Sequence, residues 1–134
     1  MFTPLYVFSD FALLFLRVVL AIIFVAHGWS KIKNLKGTGG WLSSVGLKPG
    51  IFWALVVSCF EFFGGLLVIA GAFTQIIALG WVIIMLVAIL VVKRKLGLVG
   101  GYEFELLLIA TALALVTLGG GTYSLDDFFF IFLY

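Results

Sequence analysis

Four long apolar runs divide the chain, and polar or glycine-rich segments separate them. The runs cover approximately residues 11–28, 51–73, 75–92 and 102–118. Each has about the 17 to 25 residues that a helix needs to cross roughly 30 Å of hydrocarbon. None alternates polar and apolar residues as the strands of a transmembrane barrel do. The pattern therefore predicts an all-α fold, a four-helix bundle integral to a membrane.

The connections between the runs predict how the helices are joined. The link from Gly71 to Thr74 is so short that the second and third helices should form an antiparallel hairpin. The 29–50 connection is longer, and Thr38 can cap a short helix that Gly46 ends. We expect this helix to lie at the membrane interface, held by Trp41, or to enter the mouth of the bundle.

Composition agrees with a membrane environment. The 134 residues are 65% hydrophobic and 10% charged, whereas soluble domains average about 45 to 50% apolar and about 25% charged residues. Four spans use most of the chain, so we predict one transmembrane domain over residues 1–134 and no soluble catalytic domain. The first run is interpreted as a retained span, because no Lys or Arg precedes it and no signal-peptidase site follows it.

Charge predicts the orientation of the spans. Seven of the eight basic residues lie in two connections: Lys31, Lys33, Lys36, Lys48, Lys93, Arg94 and Lys95. By the positive-inside rule these two connections are cytoplasmic and both termini lie outside. The last seven residues, FFFIFLY, are too few to span and are expected to pack along the outer interface. The lipid bilayer is the expected partner, and nucleic acid is not.

Ionisable residues also occur within the spans. Arg17 and Glu61 lie deep in the first and second runs, whereas His27 and Glu103 lie near the ends of theirs. A charge near the bilayer centre costs about 2.5 to 3.5 kcal/mol on insertion scales, so such residues usually face the bundle interior. Helical spacing places Glu61 on a stripe of mostly small residues and favours Glu103 over Glu105 as an inward residue.

Depth along the helices suggests partners for these residues. With a rise of about 1.5 Å per residue, the guanidinium of Arg17 should reach Glu61. His27 and Glu103 lie at comparable depth and could share a proton, and Lys31 is near enough to join them. One interpretation is that ion pairs only fix the register of the bundle. The functional interpretation is a polar pocket between the first, second and fourth spans.

Metal and thiol chemistry have little support in the sequence. His27 is the only histidine, so one chain cannot supply two histidine ligands to a haem, and the sequence contains no Cys/His cluster for a metal. Cys59 is the only cysteine, which excludes a disulfide or a CxxC dithiol within one chain. We interpret Cys59 as a packing residue, and a quinone remains the only cofactor that we consider.

Four segments, in order along nearly the whole chain, resemble the DoxX family of bacterial and archaeal membrane proteins. They are LLFLRVVLAIIFVAHGWSKI, GTGGWLSSVGLKP, EFFGGLLVIAGAFTQIIAL and GGYEFELLLIATALALVTLGGGTYSLD. The resemblance implies a four-helix bundle in a prokaryotic inner (plasma) membrane. It also implies, from some members, a link to quinone-dependent oxidation of sulfur compounds or to thiol redox homeostasis. The family's recurrent polar positions fall on Arg17, His27, Lys31, Glu61 and Glu103.

Three functions are compatible with these observations. The first is a redox-associated subunit of a quinone-linked oxidoreductase, with an intramembrane pocket for a quinone or a similar apolar ligand. Arg17, Glu61 and Lys31 would bind that ligand, while His27 and Glu103 would exchange protons with the cytoplasmic side. The second is a non-catalytic scaffold that holds a partner subunit or a homo-oligomer. The third is a small proton-coupled transporter, although the four spans show no repeat.

Overall fold

The structure, a computed structural model, describes residues 4–129. Within that range it has no strand and six α-helices: α1 Ser9–Ile32, α2 Leu35–Ser44, α3 Gly50–Ala70, α4 Thr74–Val87, α5 Glu103–Leu118 and α6 Leu125–Phe128. Four stretches are long and apolar enough to cross a membrane: Tyr6–Ile32, Gly50–Ala70, Thr74–Leu96 and Leu98–Leu118. The predicted all-α, four-helix membrane bundle is confirmed.

Helices α1 and α3 pack antiparallel with very close backbones. A Cβ added at Gly28 of α1 would lie 2.5 Å from the backbone nitrogen of Phe62 on α3. A Cβ at Gly65 of α3 would lie 3.0 Å from the carbonyl oxygen of Ala21 on α1. Small residues at membrane helix contacts allow this approach, because hydrocarbon solvent offers no hydrophobic drive and packing must supply the stability.

The short helix α2 lies against the beginning of α3. Its N-cap is Asn34, whose side chain accepts a hydrogen bond from the backbone N–H of Gly37. The predicted Thr38 cap is therefore wrong by one turn, because an asparagine four residues earlier already supplies the acceptor. The helix ends at Ser44, and Gly46 follows it with a φ of 99°. Trp41 is half exposed at this end of the bundle.

Helices α3 and α4 form the predicted antiparallel hairpin. Helix α3 ends at Ala70 because Gly71 adopts a left-handed conformation, with a φ of 79°. Helix α4 begins at Thr74, and its first N–H groups are capped from a distant segment. The Asp126 carboxylate accepts hydrogen bonds from the backbone N–H groups of Phe73 at 2.7 Å and Thr74 at 2.9 Å.

The third span ends in a π-helical turn, Ala88–Lys93, followed by the 3₁₀ turn Arg94–Leu96. Irregular backbone around Gly97 and Gly100 then leads into α5, which returns antiparallel to α4. The Gln75 side chain at the start of α4 donates to the Val116 carbonyl oxygen near the end of α5, at 2.8 Å. The end of the bundle at which α1 and the third span finish is called here the basic end.

Large apolar side chains cover the outside of the bundle as well as its interior. Leu107 of α5 and Ile83 of α4, for example, are 62% and 56% exposed. Such a surface suits lipid and not water. Residues 130–134, which hold most of the FFFIFLY stretch expected at the outer interface, lie outside the described residues.

Candidate functional site

A buried ion pair links the first two spans. Glu61 on α3 is 1% exposed, and both of its carboxylate oxygens accept hydrogen bonds from the Nζ of Lys31 at 2.7 Å. Lys31 belongs to the last turn of α1, and its side chain is 30% exposed. Gly28 packs closely against the backbone of α3. Lys31 lies one turn after Gly28 on α1, and from there its side chain reaches the Glu61 carboxylate on α3.

The predicted pairing of Arg17 with Glu61 is wrong. The first turns of α3 lie beside α2, which makes Glu61 level with the last part of α1 and not with its middle. Arg17 lies farther along, level with the end of α3. Counting residues from the ends of the hydrophobic runs gave the depths of Arg17 and Glu61. Such a count does not show that α3 extends past the end of α1.

Arg17 is instead anchored to backbone at the end opposite the basic end. The guanidinium is 2% exposed and donates to the carbonyl oxygens of Gly120, of Ile69 at 3.3 Å and of Tyr123 at 2.9 Å. It also interacts electrostatically with Asp126. Carbonyl groups at helix C-termini lack intrahelical partners and attract cations. The role of Arg17 in ligand binding remains a prediction, but the structure separates it from Glu61.

His27 and Glu103 make separate contacts. His27 is exposed, its ring centroid lies 5.9 Å from that of Phe104, and it interacts electrostatically with Glu61. Glu103, the first residue of α5, is exposed and accepts a hydrogen bond from the backbone N–H of Gly100, in the segment before the helix, at 3.1 Å. Within residues 4–129, no hydrogen bond or ion pair joins His27 to Glu103. The expected proton-sharing contact is therefore wrong, and proton exchange by either residue remains a prediction.

A second buried ion pair was missed from the sequence. Glu105 is 8% exposed and accepts a hydrogen bond from Lys93, which ends the π-helical turn. The expectation that Glu103 faces inward and Glu105 outward is thus reversed. Helix α5 is apolar on every side, because one side meets the core and the other meets lipid, so hydrophobic spacing carries no information about its inward face. In the sequence, only the basic residue Lys93, which precedes α5, indicated a partner for Glu105.

An aromatic layer lies about one turn of α3 away from Glu61, at the level of Gly64. Phe24 of α1 and Trp81 of α4 stack with ring centroids 4.0 Å apart and ring planes 5° apart. Both side chains are almost completely buried. Gly64 of α3 lies against the Trp81 indole. Trp81 is not among the residues predicted from the sequence, since a tryptophan in an apolar span resembles any other core residue.

The residues around Glu61 form the candidate site. We call Glu61, Lys31 and His27 the Glu61 cluster. Lys31 supplies ammonium N–H donors, the Glu61 carboxylate accepts them, and the His27 imidazole has one nitrogen that donates and one that accepts when it is neutral. The cluster therefore combines a hydrogen-bond donor with a buried carboxylate inside the bundle.

Comparison with known proteins places this arrangement in a family. Residues 12–94 match the DoxX family model. The chain belongs to the DoxX family. It is 38% identical over 117 residues to a Bacillus subtilis (strain 168) protein named "Putative oxidoreductase CatD", an alignment that covers 87% of this chain and 86% of that protein. It is 35% identical over 71 residues to "Inner membrane protein YqjF" of Escherichia coli (strain K12), with 53% of each chain covered.

No solved structure matches this DoxX protein. The segment that matches the DoxX family model begins in α1 and ends at the turn after α4, so it contains Lys31, Glu61 and Trp81. Glu103 and Glu105 lie beyond that segment. The part of the chain that carries the Glu61 cluster and its aromatic layer is therefore the part in which family membership is directly observed.

Proposed function

We propose that this DoxX protein is a redox-associated membrane protein that binds a quinone, or an apolar ligand with similar oxygen atoms, at the Glu61 cluster. The observation that carries the proposal is the Lys31–Glu61 ion pair. Two charges at this depth are costly, and ionisable residues inside membranes commonly mark binding sites or proton relays. The name of the Bacillus subtilis relative, which includes the word oxidoreductase, supports a redox setting.

The cluster suits the chemistry of a quinone carbonyl. Lys31 would donate a hydrogen bond to one carbonyl oxygen, and Glu61 would transfer a proton to or from it. His27, exposed near the basic end, would exchange protons with the aqueous phase. Reduction to the quinol consumes two electrons and two protons. A thiol, a reduced sulfur compound or a partner redox subunit would supply the electrons, and the cluster would supply the protons.

The basic end would face the cytoplasm in this proposal. The two basic connections lie there, and the positive-inside rule then directs both termini outward. Protons for the quinone would therefore come from the cytoplasmic side. An inner membrane location is supported by the name of the Escherichia coli relative.

The experiment is quinone binding and thiol- or thiosulfate-dependent quinone reduction by the purified protein in lipid. Glu61→Gln should lower activity about tenfold or more, because it removes a charge-assisted contact and a proton carrier. Glu105→Gln is the matched control, since Glu105 is also buried and paired with a lysine. Binding of no quinone, or equal activity of Glu61→Gln and the wild-type protein, contradicts the proposal. Equal losses in both variants indicate an effect on packing alone.

A scaffold without catalytic activity is the second candidate, and one observation favours it. Arg17 is buried yet donates only to backbone carbonyl oxygens, so buried charge in this chain can serve packing. The double variant Lys31→Glu with Glu61→Lys separates the two functions. A scaffold should recover its assembly with a partner subunit or a second copy, because the pair is re-formed. A quinone site should lose its activity, because donor and acceptor have exchanged places.

A further inference from the structure

A groove of about 390 Å³ opens on the outer surface of α1 and α3. Its lining is apolar and consists of Ile22, Val25, Ala26, Trp29 and Phe62. The first four recur every three or four positions along α1, so the groove follows one face of that helix for about 10 Å. Ile22 and Trp29 are about half exposed, so this surface faces the surrounding lipid. We call it the Trp29 groove.

The Trp29 groove carries a positive charge at its basic end. Lys33 follows Trp29 by one turn, and its Nζ lies 5.9 Å from the centroid of the Trp29 ring. Phe62 packs against the same ring from α3, with the two centroids 5.6 Å apart. An aromatic face attracts an exposed ammonium only weakly and does not neutralise it. The end of the groove therefore presents a cation that is held close to an apolar surface.

This cation has no carboxylate to balance it. The salt bridges found within residues 4–129 join Lys31 to Glu61 and Lys93 to Glu105, and neither involves Lys33. The sequence from residue 11 to residue 60 contains no Asp or Glu. Basic side chains beside a membrane span attract anionic headgroups, and tryptophan is enriched at the level of those headgroups. The two ends of the groove thus match the two parts of a phospholipid.

We propose that the Trp29 groove binds one anionic phospholipid from the leaflet at the basic end. An acyl chain lies along Ile22, Val25 and Ala26, and a phosphate oxygen accepts a hydrogen bond from the ammonium of Lys33. The charge decides the occupant, because an apolar groove alone would take any acyl chain or quinone tail. Phosphatidylglycerol carries a net negative charge, whereas the phosphate of phosphatidylcholine is balanced by its own cation. This site is separate from the Glu61 cluster, and the inference does not depend on quinone binding.

The test is lipid binding to the purified protein in a neutral detergent, measured by native mass spectrometry. Dioleoyl-phosphatidylglycerol and dioleoyl-phosphatidylcholine have the same acyl chains and differ in headgroup charge. The wild-type protein should bind the first phosphatidylglycerol molecule at least fivefold more tightly than phosphatidylcholine. Equal Kd values for the two lipids would overturn the proposal.

Variants of Lys33 test the headgroup contact. Lys33→Gln should raise the Kd for phosphatidylglycerol about fivefold, the contribution of one basic side chain near anionic headgroups, and leave the Kd for phosphatidylcholine unchanged. Lys33→Arg keeps the charge and should bind like the wild type. Lys95→Gln is the matched control, since Lys95 is exposed in the other basic connection. Equal effects of Lys33→Gln and Lys95→Gln would show diffuse attraction to the whole basic end and contradict a site at Trp29.

A variant of Ala26 tests the acyl-chain contact. Ala26→Leu fills the groove and should weaken binding of phosphatidylglycerol by a similar factor, whereas Ala110→Leu, at an exposed alanine of α5, should not. An unchanged Kd for Ala26→Leu would place the lipid elsewhere. Displacement of phosphatidylglycerol by an equimolar amount of ubiquinone-10 would assign the groove to a quinone tail and also overturn the proposal. Should Ala26→Leu not fold, Lys33→Gln still decides, because Lys33 is exposed outside the packed core.

Discussion

Replacing Arg17 by methionine tests whether its guanidinium is a structural anchor. The side chain donates to three carbonyl oxygens, those of Gly120, Ile69 and Tyr123, and it lies near the buried Asp126. Methionine keeps much of the apolar stem but leaves these acceptors without a donor. Hydrogen bonds within membranes contribute about 0.6 to 2 kcal/mol each. Three of them, with the carboxylate left uncompensated, give an expected loss of about 3 to 5 kcal/mol.

The assay is reversible unfolding of the purified protein by SDS in mixed micelles, followed by circular dichroism. Arg94→Met is the matched control, because Arg94 is exposed and should change the unfolding free energy by less than about 0.5 kcal/mol. If Arg17→Met is as stable as Arg94→Met, the Arg17 guanidinium is not a structural anchor. The same preparations test the predicted ligand role: folded Arg17→Met should keep the wild-type Kd for ubiquinone-1, since Arg17 lies apart from Glu61.

Two further predictions concern single side chains. Gly28→Ala should destabilise the protein by about 1 to 3 kcal/mol in the same SDS assay, because its Cβ would lie 2.5 Å from the Phe62 nitrogen, a backbone atom that cannot move alone. Gly40→Ala should be at least as stable as the wild type, because its Cβ meets nothing within 4 Å and alanine favours the helix, and equal stability of both variants would contradict the close packing. Glu103→Gln should leave quinone reduction unchanged, because Glu103 is exposed and its carboxylate binds the backbone N–H of Gly100. A large loss there would restore its proposed part in proton exchange.

The architecture could be predicted from the sequence because the bilayer imposes it. Hydrocarbon demands helices of a fixed minimum length, and the apolar runs report that demand directly. The ends of the helices could be predicted less well from the sequence. The second run continues to Phe73, yet α3 ends at Ala70, because the left-handed Gly71 terminates the helix while hydrophobicity continues.

The partners of the ionisable residues could be predicted only in part. Lys31 was expected close to the other polar residues, and it does bind Glu61. Arg17 could not be placed, because its acceptors are carbonyl groups, which every residue carries and no side-chain pattern marks. The inward face of α5 could not be predicted for a different reason. Lipid and core are equally apolar, so the choice between Glu103 and Glu105 depends on packing that spacing does not encode.

The anchoring of Arg17 has a consequence for biogenesis. The guanidinium is separated by 103 residues from Gly120 and by 106 residues from Tyr123, whose carbonyls it binds. During translation the first span must enter the membrane long before these acceptors leave the ribosome. The nascent chain therefore carries a cation that lacks two of its three carbonyl acceptors until its fourth span has been inserted. Closure of the last loop over Arg17 would then be the step that commits the newly made chain to its final form.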